Sequence, residues 1–134
     1  MKILTKNSDY AIRALIEIAL NQKELLSARE IAKKQKIPYQ YLRRILQELI
    51  KHDFIAAKEG KGGGFKLKKN PKHIQVSEIL KIYQGPIQIS ECLFRKKMCH
   101  NANSCPLRHE ILAIESKVVK EFKGITIAKL IGKL

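Results

Sequence analysis

The stretch "SAREIAKKQKIPYQYLRRILQELIKHDFIAAKEGKGGGFKLKKN", residues 27–70, decides the fold of this chain. Ser27 and Glu30 have the spacing of a capping box, and the helix that they begin ends near Gln35. Pro38 suits the first turn of a second helix, because a missing N–H costs least there. Apolar and aromatic residues at helical spacing form the inward stripe of that helix: Tyr41, Leu42, Ile45, Leu46 and Leu49. The sequence therefore predicts two helices joined by a short turn.

The second helix presents a different set of side chains outward, which are Tyr39, Gln40, Arg43, Arg44 and Gln47. Two helices of this kind are what a helix-turn-helix needs to enter the major groove of DNA. Arginine can bond guanine with two hydrogen bonds, and glutamine can bond adenine in the same way. Taken alone, the segment also fits an ordinary surface helix with solvated side chains.

The residues that follow predict a β-hairpin with a glycine-rich tip. "FIAAKEGKGGGFKLKKN" contains two short strand patterns on either side of Gly60, Gly62, Gly63 and Gly64. Glycine permits positive φ angles and close approach of the backbone to a phosphate or a groove wall. A helix-turn-helix followed by a basic hairpin is a winged helix, although glycine turns also occur in hairpins without any such role.

Two further helices flank this segment. Residues 8–20, "SDYAIRALIEIAL", predict a first helix that is capped by Ser8 or Asp9 and turns its apolar face to the core. After Asn70 and Pro71, "VSEILKIYQG" predicts a short helix that is capped by Ser77 and stops at Gly85. The predicted fold class is therefore mainly α with a small β-hairpin.

A longer helix is predicted from Pro106 onward. Its apolar residues recur at steps of 4, 3, 4 and 4 positions along the chain. They form a coiled-coil-like seam: Leu107, Ile111, Ile114, Val118 and Phe122. A seam of this length on so small a domain usually meets another chain, so the helix predicts a homodimer. The alternative is packing within the chain.

Charge indicates the kind of partner. The formal net charge is +15, from 27 Lys and Arg against 12 Asp and Glu. This excess favours a polyanion, with nucleic acid first and an anionic membrane surface second. The N-terminus meets charge before any signal-like stretch, and the apolar runs are short, so we expect a cytoplasmic protein that does not span a membrane. The sequence shows no nucleophile motif, no phosphate-binding loop and no pair of carboxylates beside a histidine. We therefore do not expect an enzyme.

All three cysteines lie within residues 92–105. Six residues separate Cys92 from Cys99, and five separate Cys99 from Cys105. Structural zinc sites usually contain close pairs such as C-x-x-C, and this chain has none, so zinc is not favoured. An odd number of cysteines argues against a disulfide framework. Thiolates on a loop suit an iron-sulfur cluster, in which a fourth position could be filled by His100, His109 or an acidic residue. Simple buried thiols are the alternative.

Over nearly its whole length the chain resembles the Rrf-two-type winged-helix regulators. The resemblance is carried by "SDYAIRALIEIAL", "IPYQYLRRIL", "GKGGGF", the three cysteines and "ITIAKLI" near the end. It implies a homodimer with paired winged helices, a long C-terminal dimerisation helix, and an iron-sulfur cluster that controls binding to operator DNA. Residues 1–84 would be the DNA-binding domain, 85–105 the cluster-binding loop, and 106–134 the dimerisation helix and tail.

The resemblance also implies a ligand set. IscR-like members use a histidine three residues after the last cysteine, a position held here by Arg108, and His109 lies one step further on. NsrR-like members, the nitric oxide sensors, use an aspartate from the other subunit that matches Asp9. The implied ligands are therefore Cys92, Cys99, Cys105 and the partner subunit's Asp9, holding a four-iron, four-sulfur cluster open to nitric oxide or oxidants. His109 or His100 as ligand, a two-iron cluster, and Asp9 as a plain helix cap are the alternatives.

Two departures affect what the resemblance transfers. The first cysteine spacer is one residue longer than the commonest pattern, and Glu59 stands where relatives often carry a groove-binding arginine. Lys58 or Lys61 would then take that role beside Gly62 and Gly63. We expect a repressor that presents Tyr39, Gln40, Arg43 and Arg44 to the major groove. An IscR-like two-iron regulator, a cluster-free thiol regulator and a non-specific nucleic-acid-binding protein are the other readings.

Overall fold

The computed structural model describes residues 3–89 and 103–134. Along these residues the chain forms α1 (Lys6–Leu20), α2 (Ala28–Gln35), α3 (Tyr39–Lys51), β1 (Ile55–Lys58), β2 (Gly64–Leu67), a 3-10 turn (Pro71–His73), α4 (Val76–Gln84), α5 (Pro106–Lys123) and α6 (Ile127–Ile131). The predicted fold class, mainly α with a small hairpin, is confirmed. None of the helices in the described ranges is long and apolar enough to cross a bilayer.

Helix α1 begins earlier than the sequence predicted. Thr5 is its N-cap, and the Thr5 hydroxyl accepts the backbone N–H of Ser8 at 3.3 Å. The prediction that Ser8 or Asp9 caps the helix was wrong, because both lie inside the first turns. Ser8 is fully buried, and its hydroxyl donates to Gln84 Oε1 at 2.6 Å. The polar residues at this end of α1 therefore serve tertiary contacts.

The helix-turn-helix forms as predicted, with a difference at the turn. The capping box is present, since the Ser27 N–H donates to Glu30 Oε2 at 2.8 Å and the Glu30 N–H donates to Ser27 Oγ at 3.2 Å. Lys36 then adopts a left-handed conformation with φ +54°. Pro38 is the N-cap of α3, one position before the predicted first turn.

The buried stripe of α3 is narrower than predicted. Leu42, Ile45, Leu46 and Leu49 are buried, whereas Tyr41 is 36% exposed. Tyr41 lies at the edge of the stripe, where its ring meets the ring of Tyr10 edge-on at a centroid distance of 5.4 Å. Placing Tyr41 in the core was wrong, because its side chain reaches α1 from the rim.

The predicted hairpin is present and gains a third partner. Strands β1 and β2 pair antiparallel, with Ile55 opposite Leu67 and Lys58 opposite Gly64. Phe65 also exchanges backbone hydrogen bonds with Leu26, at 2.8 and 3.4 Å. Because Leu26 directly precedes the cap of α2, this bridge attaches the wing to the start of the helix-turn-helix.

Gly64 makes that bridge possible, and its replacement gives a first prediction. Its φ is +154°, and a Cβ placed there would lie 2.5 Å from the carbonyl oxygen of Leu26. Gly64→Ala should therefore lower the free energy of unfolding by about 2–4 kcal/mol, from backbone strain and overpacking together. Urea denaturation at fixed protein concentration measures this loss.

Gly62→Ala is the matched control for Gly64→Ala. Gly62 also has a positive φ, +77°, but nothing lies within 4 Å of a Cβ placed there. Only the conformational cost remains, about 1 kcal/mol. Equal losses for the two variants would contradict the tight contact between Gly64 and Leu26.

The end of the chain returns to the winged-helix core. The Val76 N–H donates to the Ile125 carbonyl at 2.9 Å, and the Ile127 N–H donates to the Ile74 carbonyl at 3.0 Å. Ile127 is fully buried and joins the same core as Leu15 of α1. The residues that follow α5 are thus fixed to the winged-helix core.

Candidate DNA interface and cluster-binding residues

The outward face of α3 carries the side chains predicted to read DNA. Gln40, Arg43, Arg44 and Gln47 are exposed, as predicted, whereas Tyr39 is half-buried against the core. Arginine and glutamine on one exposed helical face can donate to and accept from base edges in a major groove. The arrangement suits α3 as a recognition helix.

An open cleft of about 390 Å³ separates α3 from the wing. Its walls include Tyr39, Arg43 and Gln47 from α3, and Lys58, Glu59 and Gly63 from the hairpin. Arg43 and Gln47 of α3 and Gly63 of the hairpin therefore line the same cleft.

Arg29 is a residue that sequence reasoning missed. Its guanidinium lies 4.6 Å from the centroid of the Tyr39 ring, and that of Arg43 lies 5.8 Å from the same centroid. Arg29 is exposed in the first turn of α2, where backbone N–H groups also favour an anion. Its position two residues after the Ser27 cap is the available signal, but the contact with Tyr39 is tertiary and has no sequence pattern.

The basic residues of the wing divide into two groups. Lys68 donates to Asp53 Oδ1 at 2.9 Å and holds the pKa of that carboxyl below its usual range. The Lys69 ammonium lies 4.2 Å from the centroid of the Phe54 ring. Lys58 and Lys61, nearer the tip, are exposed. The tip lysines are therefore the better placed to meet phosphate.

Helix α5 exposes much of its apolar seam. None of its 18 residues is buried, and Leu107 and Ile114 are 67% and 52% exposed. Phe122, by contrast, packs against the core of the DNA-binding domain. The exposed part of the predicted seam is therefore at Leu107 and Ile114, while Ile111 and Val118 are half-buried.

Cys105 lies at the start of α5. It is the N-cap, half-buried, and its Sγ accepts the backbone N–H of Arg108 at 3.4 Å. Cysteine sulfur is the usual ligand of iron in iron-sulfur clusters. His109 is exposed on the next turn, while Cys92, Cys99 and His100 fall outside the described residues.

Asp9 lies on α1 within a chain of polar contacts. Its Oδ2 accepts from Arg13 Nη1 at 3.3 Å, and Arg13 Nε donates to Gln35 Oε1 at 3.0 Å. The third guanidinium nitrogen of Arg13, Nη2, donates to the backbone carbonyl of Gln35. Asp9 is thereby linked to the last residue of α2, directly before the turn into α3.

The donor set fits an iron-sulfur cluster. Among residues 3–89 and 103–134, no three His, Cys, Asp or Glu side chains are grouped as a metal site. The predicted ligand set stays a prediction, because Cys92 and Cys99 lie outside those ranges and Asp9 would come from another subunit. Cys105 offers a sulfur at the N-terminus of α5, and Asp9 offers a half-exposed carboxylate.

Comparison with known proteins identifies the family. The family described as "Rrf2: Iron-dependent Transcriptional regulator" matches residues 4–133. The chain belongs to the Rrf2 family. The regulator NsrR of Shouchella clausii is 32% identical over 124 residues, which cover 89% of this chain and 83% of that protein. The regulator IscR of Sodalis glossinidius is 29% identical over 131 residues, which cover 96% of this chain and 78% of that protein.

Solved structures support the fold of this Rrf2 chain. The structure of CymR (YrzC), the global cysteine regulator of B. subtilis, matches with a TM-score of 0.85 at 21% identity, covering 100% of this chain and 99% of that chain. The resemblance drawn from the sequence is therefore confirmed. The chain is a DNA-binding transcriptional regulator of the Rrf2 family, and its relatives are regulators rather than enzymes.

Proposed function

We propose that the protein is a homodimeric repressor whose operator binding is controlled by a four-iron, four-sulfur cluster. The ligands would be Cys92, Cys99, Cys105 and the partner subunit's Asp9. One observation carries the proposal: Cys105 caps α5, a helix in which no residue is buried. A thiolate ligand then lies at the beginning of the surface that meets the second subunit.

The DNA-binding part of the proposal follows from α3 and the wing. Each α3 would enter a major groove with Gln40, Arg43 and Arg44, beside Tyr39. Lys58 and Lys61 would hold phosphate or the minor groove, while Gly62 and Gly63 let the backbone approach. Two such domains in a dimer read half-sites about one helical turn apart.

The signalling part rests on Asp9 and its neighbours. The bound cluster would supply iron that nitric oxide or an oxidant can attack, most readily where an oxygen atom is the ligand. In this chain Asp9 instead accepts from Arg13, which is also bonded to Gln35. Gln35 is the last residue of α2. A change in the partner of Asp9 would therefore alter the contacts made at the turn before the recognition helix.

The dimer gives a second prediction. Ile114→Glu places a charge in the exposed seam of α5, where Ile114 is 52% exposed. If the seam is the dimer interface, burying an unpaired carboxylate should weaken the dimer at least about 100-fold. Sedimentation equilibrium measures this change, and Ser116→Glu, outside the seam on the same helix, is the control. An unchanged dimer in the Ile114 variant would remove α5 from the interface.

Anaerobic native mass spectrometry tests the cluster. The wild-type dimer is expected to carry about four iron and four sulfur atoms per chain. Asp9→Ala should weaken retention of the cluster, and His109→Ala, the matched control, should leave it unchanged. A two-iron mass that is lost in His109→Ala would instead favour an IscR-like regulator. Zinc, or no metal at all, would contradict cluster control and leave a thiol-based signal.

A further inference from the structure

Two adjacent residues at the end of α4 hold two different elements of the DNA-binding domain. The first is Tyr83, whose hydroxyl donates to the backbone carbonyl of Ile45 at 2.7 Å. Ile45 lies in the middle of α3, and its carbonyl can also accept the helical N–H four residues later. Burial of the phenol, with a smaller contribution from the charge of Glu48, raises the pKa of Tyr83. Tyr83 therefore remains a proton donor to the recognition helix.

The second residue is Gln84, whose side-chain amide makes three hydrogen bonds. Its Oε1 accepts from the Thr5 N–H at 3.1 Å and from the Ser8 hydroxyl at 2.6 Å. Its Nε2 donates to the Ile3 carbonyl at 2.6 Å. These contacts fix the cap and first turn of α1, and the next residue of that turn is Asp9.

After Gln84 the chain continues toward the segment that contains the three cysteines, residues 92–105, here called the cysteine segment. Gly85, with φ +77°, ends α4. The N–H of Ile89 then donates to the carboxylate of Glu115 in α5 at 3.0 Å. The end of α4 is thus joined through the backbone to the segment before Cys92, and through Tyr83 and Gln84 to α3 and the start of α1.

We infer that Tyr83 and Gln84 are positioning residues that couple the cysteine segment to the recognition helix and to Asp9. The inference rests on the proposed function. Three of these hydrogen bonds are 2.6–2.7 Å long and partly buried. Breaking them costs free energy, so a shift at the end of α4 moves α3 and the α1 cap with it. One displacement can then alter the DNA-reading helix and a proposed ligand together.

The test compares operator affinity of the cluster-loaded and cluster-free dimers, measured by fluorescence anisotropy at one salt concentration. The ratio of the two affinities reports coupling, whereas a merely structural role would lower both affinities alike. We expect a wild-type ratio on the order of tenfold, reduced to below about threefold in Tyr83→Phe and in Gln84→Ala. Tyr41→Phe and Gln88→Ala, which alter exposed residues, should keep the wild-type ratio.

A second readout uses the cluster-free protein alone. Tyr83→Phe should speed amide hydrogen exchange in α3, and Gln84→Ala should speed it at residues 3–9, while the control variants leave both segments unchanged. A wild-type ratio retained in both variants overturns the inference and leaves the proposed function standing. A wild-type ratio of one overturns cluster control itself, and the coupling falls with it.

Discussion

Raising the salt concentration from about 50 to 200 mM is expected to weaken operator binding about a thousandfold, since about six phosphate contacts per dimer release their counterions. Three exposed basic side chains per subunit are expected to make those contacts: Arg29, Lys58 and Lys61. Lys68 is paired with Asp53 and should contribute less. Anisotropy titrations at five salt concentrations give the slope of log affinity against log salt.

Two charge-removing variants locate those contacts. Lys61→Gln and Arg29→Gln should each reduce the slope by about two for the dimer, because each removes one phosphate contact per subunit. Lys117→Gln, which removes an exposed charge on α5, should leave the slope unchanged. If the operator complex were insensitive to salt, the phosphate contacts proposed for Arg29, Lys58 and Lys61 would be wrong. If only Lys117→Gln changed the slope, the phosphate contacts would lie on α5.

Local patterns in the sequence predicted most of the fold. The capping box of Ser27 and Glu30 fixes the start of α2 through contacts only three residues apart, so its spacing is visible in the chain. The glycines after Lys58 likewise mark the hairpin tip. These signals are reliable because the physical cause lies within a few residues of its effect.

The wrong predictions share the opposite property. Sequence position predicts a capping role for Ser8, but its hydroxyl bonds Gln84, which is 76 residues away. Tyr41 was placed in the core because its spacing fits, while its ring reaches Tyr10 on another helix. The bridge between Leu26 and Phe65 also joins distant segments. Tertiary packing decided each of these positions, and no local pattern records it.

The candidate site shows the same division. Exposed Gln40, Arg43 and Arg44 follow from helical spacing alone. The ligand role of Asp9 came from the resemblance, because an aspartate near a helix start is ordinarily a cap. The structure excludes that ordinary explanation, since Thr5 is the cap and Asp9 bonds Arg13. The ligand role itself stays a prediction that mass spectrometry tests.

The recognition helix depends on the core directly beneath it, and this dependence gives the last prediction. Leu46 is 1% exposed and forms part of the floor of the cleft between α3 and the wing. Leu46→Ala should lower the free energy of unfolding by about 3 kcal/mol, from lost burial and the cavity that remains. That is a large share of the 5–15 kcal/mol (about 0.1 kcal/mol per residue) typical of small domains.

Leu20→Ala separates this packing effect from the loss of any leucine. Leu20 ends α1 and is 47% exposed, so its replacement should change the free energy of unfolding by less than about 0.5 kcal/mol. Urea denaturation at one fixed dimer concentration compares the two variants, because dissociation contributes to apparent stability. A loss below about 1 kcal/mol for Leu46→Ala would mean that α3 is not seated on this core. The expected larger loss would show that α3, with its exposed Arg43 and Arg44, is held in place by the core that stabilises the domain.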